Sequence, residues 1–293
     1  MASVAATERS QPSAERRTAA LVTWGAALLG SSLPYILLKE LLHVDAPWWR
    51  VPAILAVLLA SAAWPAARAT RPYVFLTAAL VVGYAIKDLI QAASAFVAWS
   101  ATASDGQRLL VDPFLELIPV AAAALASLRL PRRQLYLVRG DLSRRISIGA
   151  IELSWRWATP LVAAIVAGPL LVQLSYTVQP DPTRFDRAAA AVPVAVLFAV
   201  VNAAGEEFRF RAAPLARLVP LLGPWHALLV TSVVFGVGHF YGHPSGPTGV
   251  ALAVVAGLFF GIPMLATRGF LASWLIHAIQ DVLIFVAVVM GEP

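Results

Sequence analysis

Apolar and polar positions divide this chain into long apolar runs separated by short polar breaks. Nine runs are long enough to span hydrocarbon, at about 20 residues each. They fall near 20–42, 50–68, 72–99, 110–130, 158–178, 188–213, 225–241, 248–266 and 270–290. A run of this kind satisfies its backbone in lipid only as a helix. The pattern therefore predicts an all-α polytopic integral membrane protein with nine transmembrane helices, or eight if one run is re-entrant or interfacial. The 225–241 run is short, and Gly242-His243-Pro244-Ser245-Gly246-Pro247 ends it, because Pro removes a helical donor and Gly favours turns.

The polar stretches give the organisation. Residues 1–19, with Arg9, Arg16 and Arg17, read as a flexible cytoplasmic tail. The apolar run after them is too long for a signal-peptide core, and no small-residue cleavage site follows it, so it is expected to stay as a helix. Residues 20–130 form a four-helix front region. Residues 131–157 are a basic interfacial segment, expected to be a turn followed by an amphipathic helix anchored by Trp155 and Trp157. Residues 158–293 form the region that carries the chemistry.

Charge adds orientation. The tail, Arg68 and Arg71, the seven arginines between Arg129 and Arg156, and then Arg217 and Arg268 fall on one side. Asp45, Asp105, Asp181 and Asp186 mark the other. Short basic loops stay cytoplasmic, so the N-terminus is expected inside a cell inner or plasma membrane, with Pro293 outside if there are nine spans.

Composition then excludes classes. The chain is 59% hydrophobic and 13% charged, against about 25% charged in a soluble domain. The net charge of +6 lies mostly in short loops, which suits anionic lipid and orientation better than nucleic acid. With no cysteine, thiol nucleophiles, disulfides and thiolate metal sites are excluded.

Ionised groups in a span are costly and mark function. Glu206-Glu207-Phe208-Arg209-Phe210-Arg211 ends the sixth run. Glu207 and Arg211 are four apart, share a helix face and can pair. Glu206 lies about 100° round the helix and points elsewhere. Alone, this stretch would read as the solvated cytoplasmic end of a span. His239 in Phe235-Gly236-Val237-Gly238-His239 would read as a packing residue, with Gly236 and Gly238 admitting a neighbouring backbone. His277 and Asp281 add a third pair at helical spacing, in which a carboxylate can fix an imidazole tautomer. Two histidines and three carboxylates on three spans are harder to read as unconnected packing. Lys87 and Asp88 cannot face each other as sequence neighbours, so each needs another partner or must snorkel.

These residues have the forms EExxxR, FxxxH and HxxxD, in that order. They resemble the three motifs of the CAAX-prenyl-protease and bacteriocin-processing family of intramembrane endopeptidases, over roughly residues 188–290. Arg139-Gly140-Asp141-Leu142 is similar to the stretch that often precedes that core. The resemblance implies that Glu206 is the general base that activates water, and that His239 and His277 position the water and stabilise the oxyanion. Glu207 and Arg211 would be a structural ion pair. Asp281 would stand where the family has Asn or Asp, in the oxyanion site or orienting His277. Ala212 replaces a common Gly, and Asp281 adds a negative charge. The family has been described both as metal-free glutamate proteases and as metalloproteases. Without HExxH spacing the expectation is no cofactor, and a divalent metal such as zinc, if present, would sit on Glu206, His239 and His277.

The implied partner is a lipidated or membrane-anchored protein or peptide at the bilayer. Two other classes remain open: a proton- or ion-coupled transporter using the same cluster as a relay, and a catalytically idle membrane scaffold. Depth sets a condition. His239 lies deeper than Glu206 and His277 unless the 188–213 helix extends towards Arg217, or the 225–241 helix tilts or starts below the surface.

Overall fold

A computed structural model describes residues 13–45, 48–149, 151–242 and 245–291. Most of the expected tail, and His243-Pro244 of the predicted break, lie outside the described residues. The described chain is helical from Ser13, within the stretch 1–19 expected as a tail.

Every apolar run is helical, which follows from the need to satisfy backbone groups locally in lipid. The front half comprises α1 (Ser13–Leu29), α2 (Leu33–Ile36, continued by a π turn Leu37–Leu41), α3 (Arg50–Ala63), α4 (Arg71–Gln91), α5 (Ser94–Thr102) and α6 (Asp105–Leu125). A capping box opens α6: Ser104 and Gln107 each accept from the other's backbone N–H. The back half comprises α7 (Trp155–Thr177), α8 (Phe185–Glu207), a π turn Phe208–Ala212, α9 (Ala213–Leu222), α10 (Pro224–Gly238), α11 (Gly246–Thr267) and α12 (Leu271–Gly291).

Five helical segments are long and apolar enough to cross a bilayer: Pro65–Gln91, Trp155–Thr177, Pro182–Leu222, Gly246–Thr267 and Leu271–Gly291. Joining Glu15–Leu29 to Leu33–Leu41, bent by 55°, gives six. Eight or nine spans are not reached among the described residues. At about 1.5 Å per residue, α3 and α10 fall short of a core about 30 Å thick, having 14 and 15 residues. The α6 helix carries Asp105, Arg108, Asp112 and Glu116.

The 131–157 segment corrects the expected interfacial helix. Residues Arg145–Ile148 (β1) and Ile151–Ser154 (β2) pair antiparallel, with Ile146 opposite Leu153 and Ser147 opposite Glu152. The alternation Arg-Ile-Ser-Ile has the period of a strand, not of a helix. Trp155 is buried at the start of α7, and Trp157 is exposed. Ahead of the hairpin, residues 138–141 pair with the α11–α12 turn: Asp141 N–H donates to Thr267 O, and Phe270 N–H donates to Val138 O, at 2.9 and 2.8 Å. Gly140 has φ +81°, and a Cβ there would meet Gly269 and Thr267. This turn sets the start of the helix that carries His277.

Three packed clusters surround the site region. The largest joins α1, α3, α4, α6, α9 and α10; another joins α7, α10, α11 and α12 through Phe235, Phe260 and Ile276; the third joins α8 and α12 through Phe198 and Phe285. Exposed apolar side chains run along α7 and α8, among them Leu161, Ile165, Leu171, Val192, Val196 and Leu197. Apolar outside with ion pairs inside is the pattern of a protein dissolved in lipid. Gly236 admits α11, since a Cβ there would meet the backbone of Val250 and Val254. Gly238 meets only a Phe210 ring atom at ordinary distance, so of the two expected close approaches only the first is seen. Arg217 ties the halves together, donating to Pro72 O, Ala126 O and Ser127 Oγ.

Candidate active site

The α8 helix does not stop at Glu207. It passes through the π turn into α9, giving one helical segment from Pro182 to Leu222. The extension towards Arg217 that the depth condition required is therefore present. A π turn inserts extra backbone into a helix and re-aims the side chains around it. Here it holds both arginines of the motif, two residues apart and so on opposite sides of the helix at about 100° per residue.

On one side, the Arg211 guanidinium donates to Glu207 Oε1 at 2.6 Å. It also lies over the rings of Phe235 and Phe260, 4.1 and 5.1 Å from their centroids. The side chains of Glu207 and Arg211 are 0% and 1% exposed, so this pair is sealed from water. The predicted i,i+4 pair is present. It has a second duty, for His277 Nδ1 lies 2.8 Å from Glu207 Oε1. A carboxylate can only accept, so Nδ1 carries the hydrogen and Nε2 is turned towards Glu206 and Asp281. The imidazole is stacked on Phe260, with centroids 4.5 Å apart. The tautomer is thus fixed by Glu207. Asp281, the expected orienter, lies 3.6 Å from Nε2. Its other oxygen accepts from Asn202 Nδ2 at 3.1 Å.

On the other side, Glu206 Oε1 accepts from Arg209 at 2.8 Å, and Glu206 Oε2 lies 3.4 Å from His277 Nε2. Arg209 is itself buried. Its second terminal nitrogen is 2.7 Å from Glu116 Oε2, an ion pair lying off the axis of a good hydrogen bond. Glu116 Oε1 accepts from Lys87, which also donates to Asp112 at 2.8 Å. Asp88 pairs separately with Arg50 at 3.2 Å. The expectation that Lys87 and Asp88 have different partners holds.

His239 caps the end of α10. Its Nδ1 is 2.9 Å from Phe235 O, and a carbonyl accepts only, so Nε2 is left free of this contact. The Phe235 ring lies against both imidazoles, 4.3 Å from His239 and 5.8 Å from His277 between centroids. Both histidines line one cavity of about 190 Å³, together with Gln280, Asp281 and apolar side chains of α7 and α11 such as Leu170 and Phe259. At about 30 Å³ per water, this holds several waters or one aliphatic side chain. Glu206 is not part of the cavity lining and meets it through His277. Gln280 is fixed by donating to Ala163 O and Ile276 O, which leaves its Oε1 without a hydrogen bond among the described residues.

The structure therefore joins Glu206, Glu207, Arg211, His277 and Asp281 in direct contact, and brings His239 to the shared cavity. Arg209, Asn202 and Glu116 are additions that the motif reading did not single out. Glu116, with Asp112 inside an apolar run, was the available signal. Among the described residues no group of three or more His, Asp or Glu side chains could hold a metal ion. One oxygen each of Glu206 and Glu207 is already taken by a guanidinium.

Against known proteins, residues 188–283 match the family model described as type II CAAX prenyl endopeptidase Rce1-like. The matched stretch contains all three motifs and excludes the front half. No curated protein and no solved structure matches the chain.

Proposed function

Since residues 188–283 are Rce1-like, we propose that this integral membrane protein is an intramembrane endopeptidase acting on a lipidated or membrane-anchored protein or peptide. Glu206 is the general base. It takes a proton from water while the water oxygen bonds to the scissile carbonyl carbon, and it returns a proton to the amine as the C–N bond breaks. The Nε2 atoms of His239 and His277 are the imidazole positions open to reacting atoms. One ring, neutral with its hydrogen on Nδ1, holds the water through the Nε2 lone pair; the other acts as an imidazolium, whose Nε2 proton faces the developing oxyanion. Glu207 and Arg211 hold His277, and Asn202 holds Asp281. The supporting observation is that three carboxylates from α8 and α12 converge on one buried imidazole beside a cavity shared with the second.

We assign the reaction to carboxylate-activated water without a metal, because Arg209 already holds Glu206 Oε1 and no group of three or more His, Asp or Glu side chains among the described residues is placed to share a cation. Chelator treatment is expected to leave cleavage unchanged. Stoichiometric zinc in the purified protein, with activity lost to chelation and restored by metal, would overturn this assignment. The basic loops support an N-terminus on the cytoplasmic side.

The test compares the termini of membrane proteins between cells carrying the wild-type chain and the Glu206→Gln variant. New termini that depend on Glu206 are expected. Identical termini, with proton-coupled uptake in vesicles, would favour a transporter, for which a buried line of ionisable groups from Lys87 to His277 would also serve.

A further inference from the structure

Glu206 is held from behind by the front half of the chain, which lies outside the Rce1-like match. Each contact in this line uses a different atom. Glu206 gives Oε1 to Arg209 and keeps Oε2 towards His277. Arg209 gives one terminal nitrogen to Glu206 and the other to Glu116. Glu116 gives Oε2 to Arg209 and Oε1 to Lys87. Lys87, Glu116 and Arg209 are all buried. Each bridging group is thus gripped from two sides, and a group gripped from two sides has little freedom to swing.

The helices that supply these groups are packed for it. Gly83 lies one turn before Lys87 on α4. A Cβ there would run into Pro119, which lies one turn after Glu116 on α6. Gly205, next to Glu206, faces Val120 of α6, where a Cβ would be 3.2 Å from a methyl group. Small residues at both crossings bring the charges of α4, α6 and α8 within reach. The ring of Phe210 covers the guanidinium, 4.8 Å from its centroid.

Stability alone does not account for such a line. Two ions moved out of water lose several kcal/mol each, and replacing a buried ion pair with apolar residues of similar size is often neutral or stabilising. Orientation does account for it. A base must present one oxygen at hydrogen-bond distance from the water it deprotonates, and a displacement of about 1 Å can cost about 100-fold in rate.

We propose that Arg209, Glu116 and Lys87 are positioning residues that lock Glu206 Oε1, so that Oε2 alone faces the reacting water. This rests on Glu206 being the general base. It assigns α4 and α6 a part in the reaction, although they carry none of the three motifs.

The test uses the purified full-length chain and a fluorogenic prenylated CAAX peptide as probe. The Lys87→Met/Glu116→Leu double variant removes a cation and an anion together and fills the space. It is expected to keep the wild-type thermal midpoint and KM within twofold, while kcat falls about 10- to 100-fold. Arg209→Lys, which keeps the charge but loses the fork, should lower kcat similarly. Adding it to the double variant should lower kcat little further, because the three act as one unit. A double variant with wild-type kcat overturns the proposal. So does a double variant whose kcat falls only in step with its thermal midpoint. The Glu206→Gln variant separates the parent reading. If it cleaves like wild type, Glu206 is not the base and both readings fail. If it is inactive while the double variant keeps wild-type kcat, the positioning proposal alone fails.

Discussion

The ion pair on one side of the π turn is sealed, and the network on the other side is not. Glu207 and Arg211 have 0% and 1% side-chain exposure and are enclosed by the aromatic rings of α10 and α11. Glu206 and Glu116 retain 12% and 11%, and their line runs from α4 through α6 to α8. Both sides reach His277, one at Nδ1 and the other at Nε2. The difference shows how one Glu-Glu step can hold two roles. A carboxylate whose Oε1 takes both a guanidinium and an imidazole N–H, and whose side chain is sealed from water, is a structural anchor. Its neighbour is tethered to a guanidinium through Oε1, keeps 12% exposure and turns Oε2 towards His277 Nε2 for chemistry.

The comparison can be broken most sharply at the rate. Glu206→Gln keeps an acceptor for Arg209 but removes the base, and it should lower cleavage by about 10²–10⁴-fold with folding retained. His239→Ala should lose a similar factor. Wild-type cleavage of a membrane-anchored substrate by either variant would remove the open side from the chemistry. Next in size is Glu207→Ala, which leaves Arg211 buried and alone. It should destabilise the protein by about 3–5 kcal/mol, read as a large fall in the unfolding midpoint. An unchanged midpoint would mean that the sealed side is not an anchor.

A smaller effect tests the turn that places His277. Gly140→Ala should cost about 1–3 kcal/mol from its positive φ and its crowding against Gly269. The smallest effect is at Asp141, where the Ser143 hydroxyl and N–H hold an exposed carboxyl below its ordinary range. A depressed folded pKa adds stability above the unfolded value, and this is lost as pH falls through the folded one. Asp141→Asn should therefore lower the unfolding midpoint slightly near neutral pH, with the difference vanishing in acid. A difference that grows in acid would contradict that sign.

How much of this was legible in the sequence depends on range. The nine apolar runs are all helices because backbone satisfaction in lipid is a local demand. The Glu207–Arg211 pair was legible for the same reason, since its partners are four residues apart. Span length was misjudged where hydropathy ran past the helix, as at α3, or where charges cut into it, as at α6. The hairpin at residues 145–154 was hidden behind its basic composition, although its period-two alternation was present. The Glu206–Arg209 link, at i,i+3 spacing, was open to the same rule, but its continuation to Glu116 and Lys87 was not legible, because it joins three helices and no pattern within one helix specifies which charges meet. The same holds for the tautomer of His277. Asp281 is its neighbour at helical spacing, yet Glu207 from another helix makes the closer contact at 2.8 Å.

The most direct measurement pairs cleavage rate with unfolding midpoint for Glu206→Gln and Glu207→Gln in the same purified preparation. The expected result is a lost rate at a near-wild-type midpoint for Glu206→Gln, and a lowered midpoint for Glu207→Gln. Retained cleavage in Glu206→Gln, or a midpoint loss as large as that of Glu207→Gln, would contradict the division of roles between the two carboxylates.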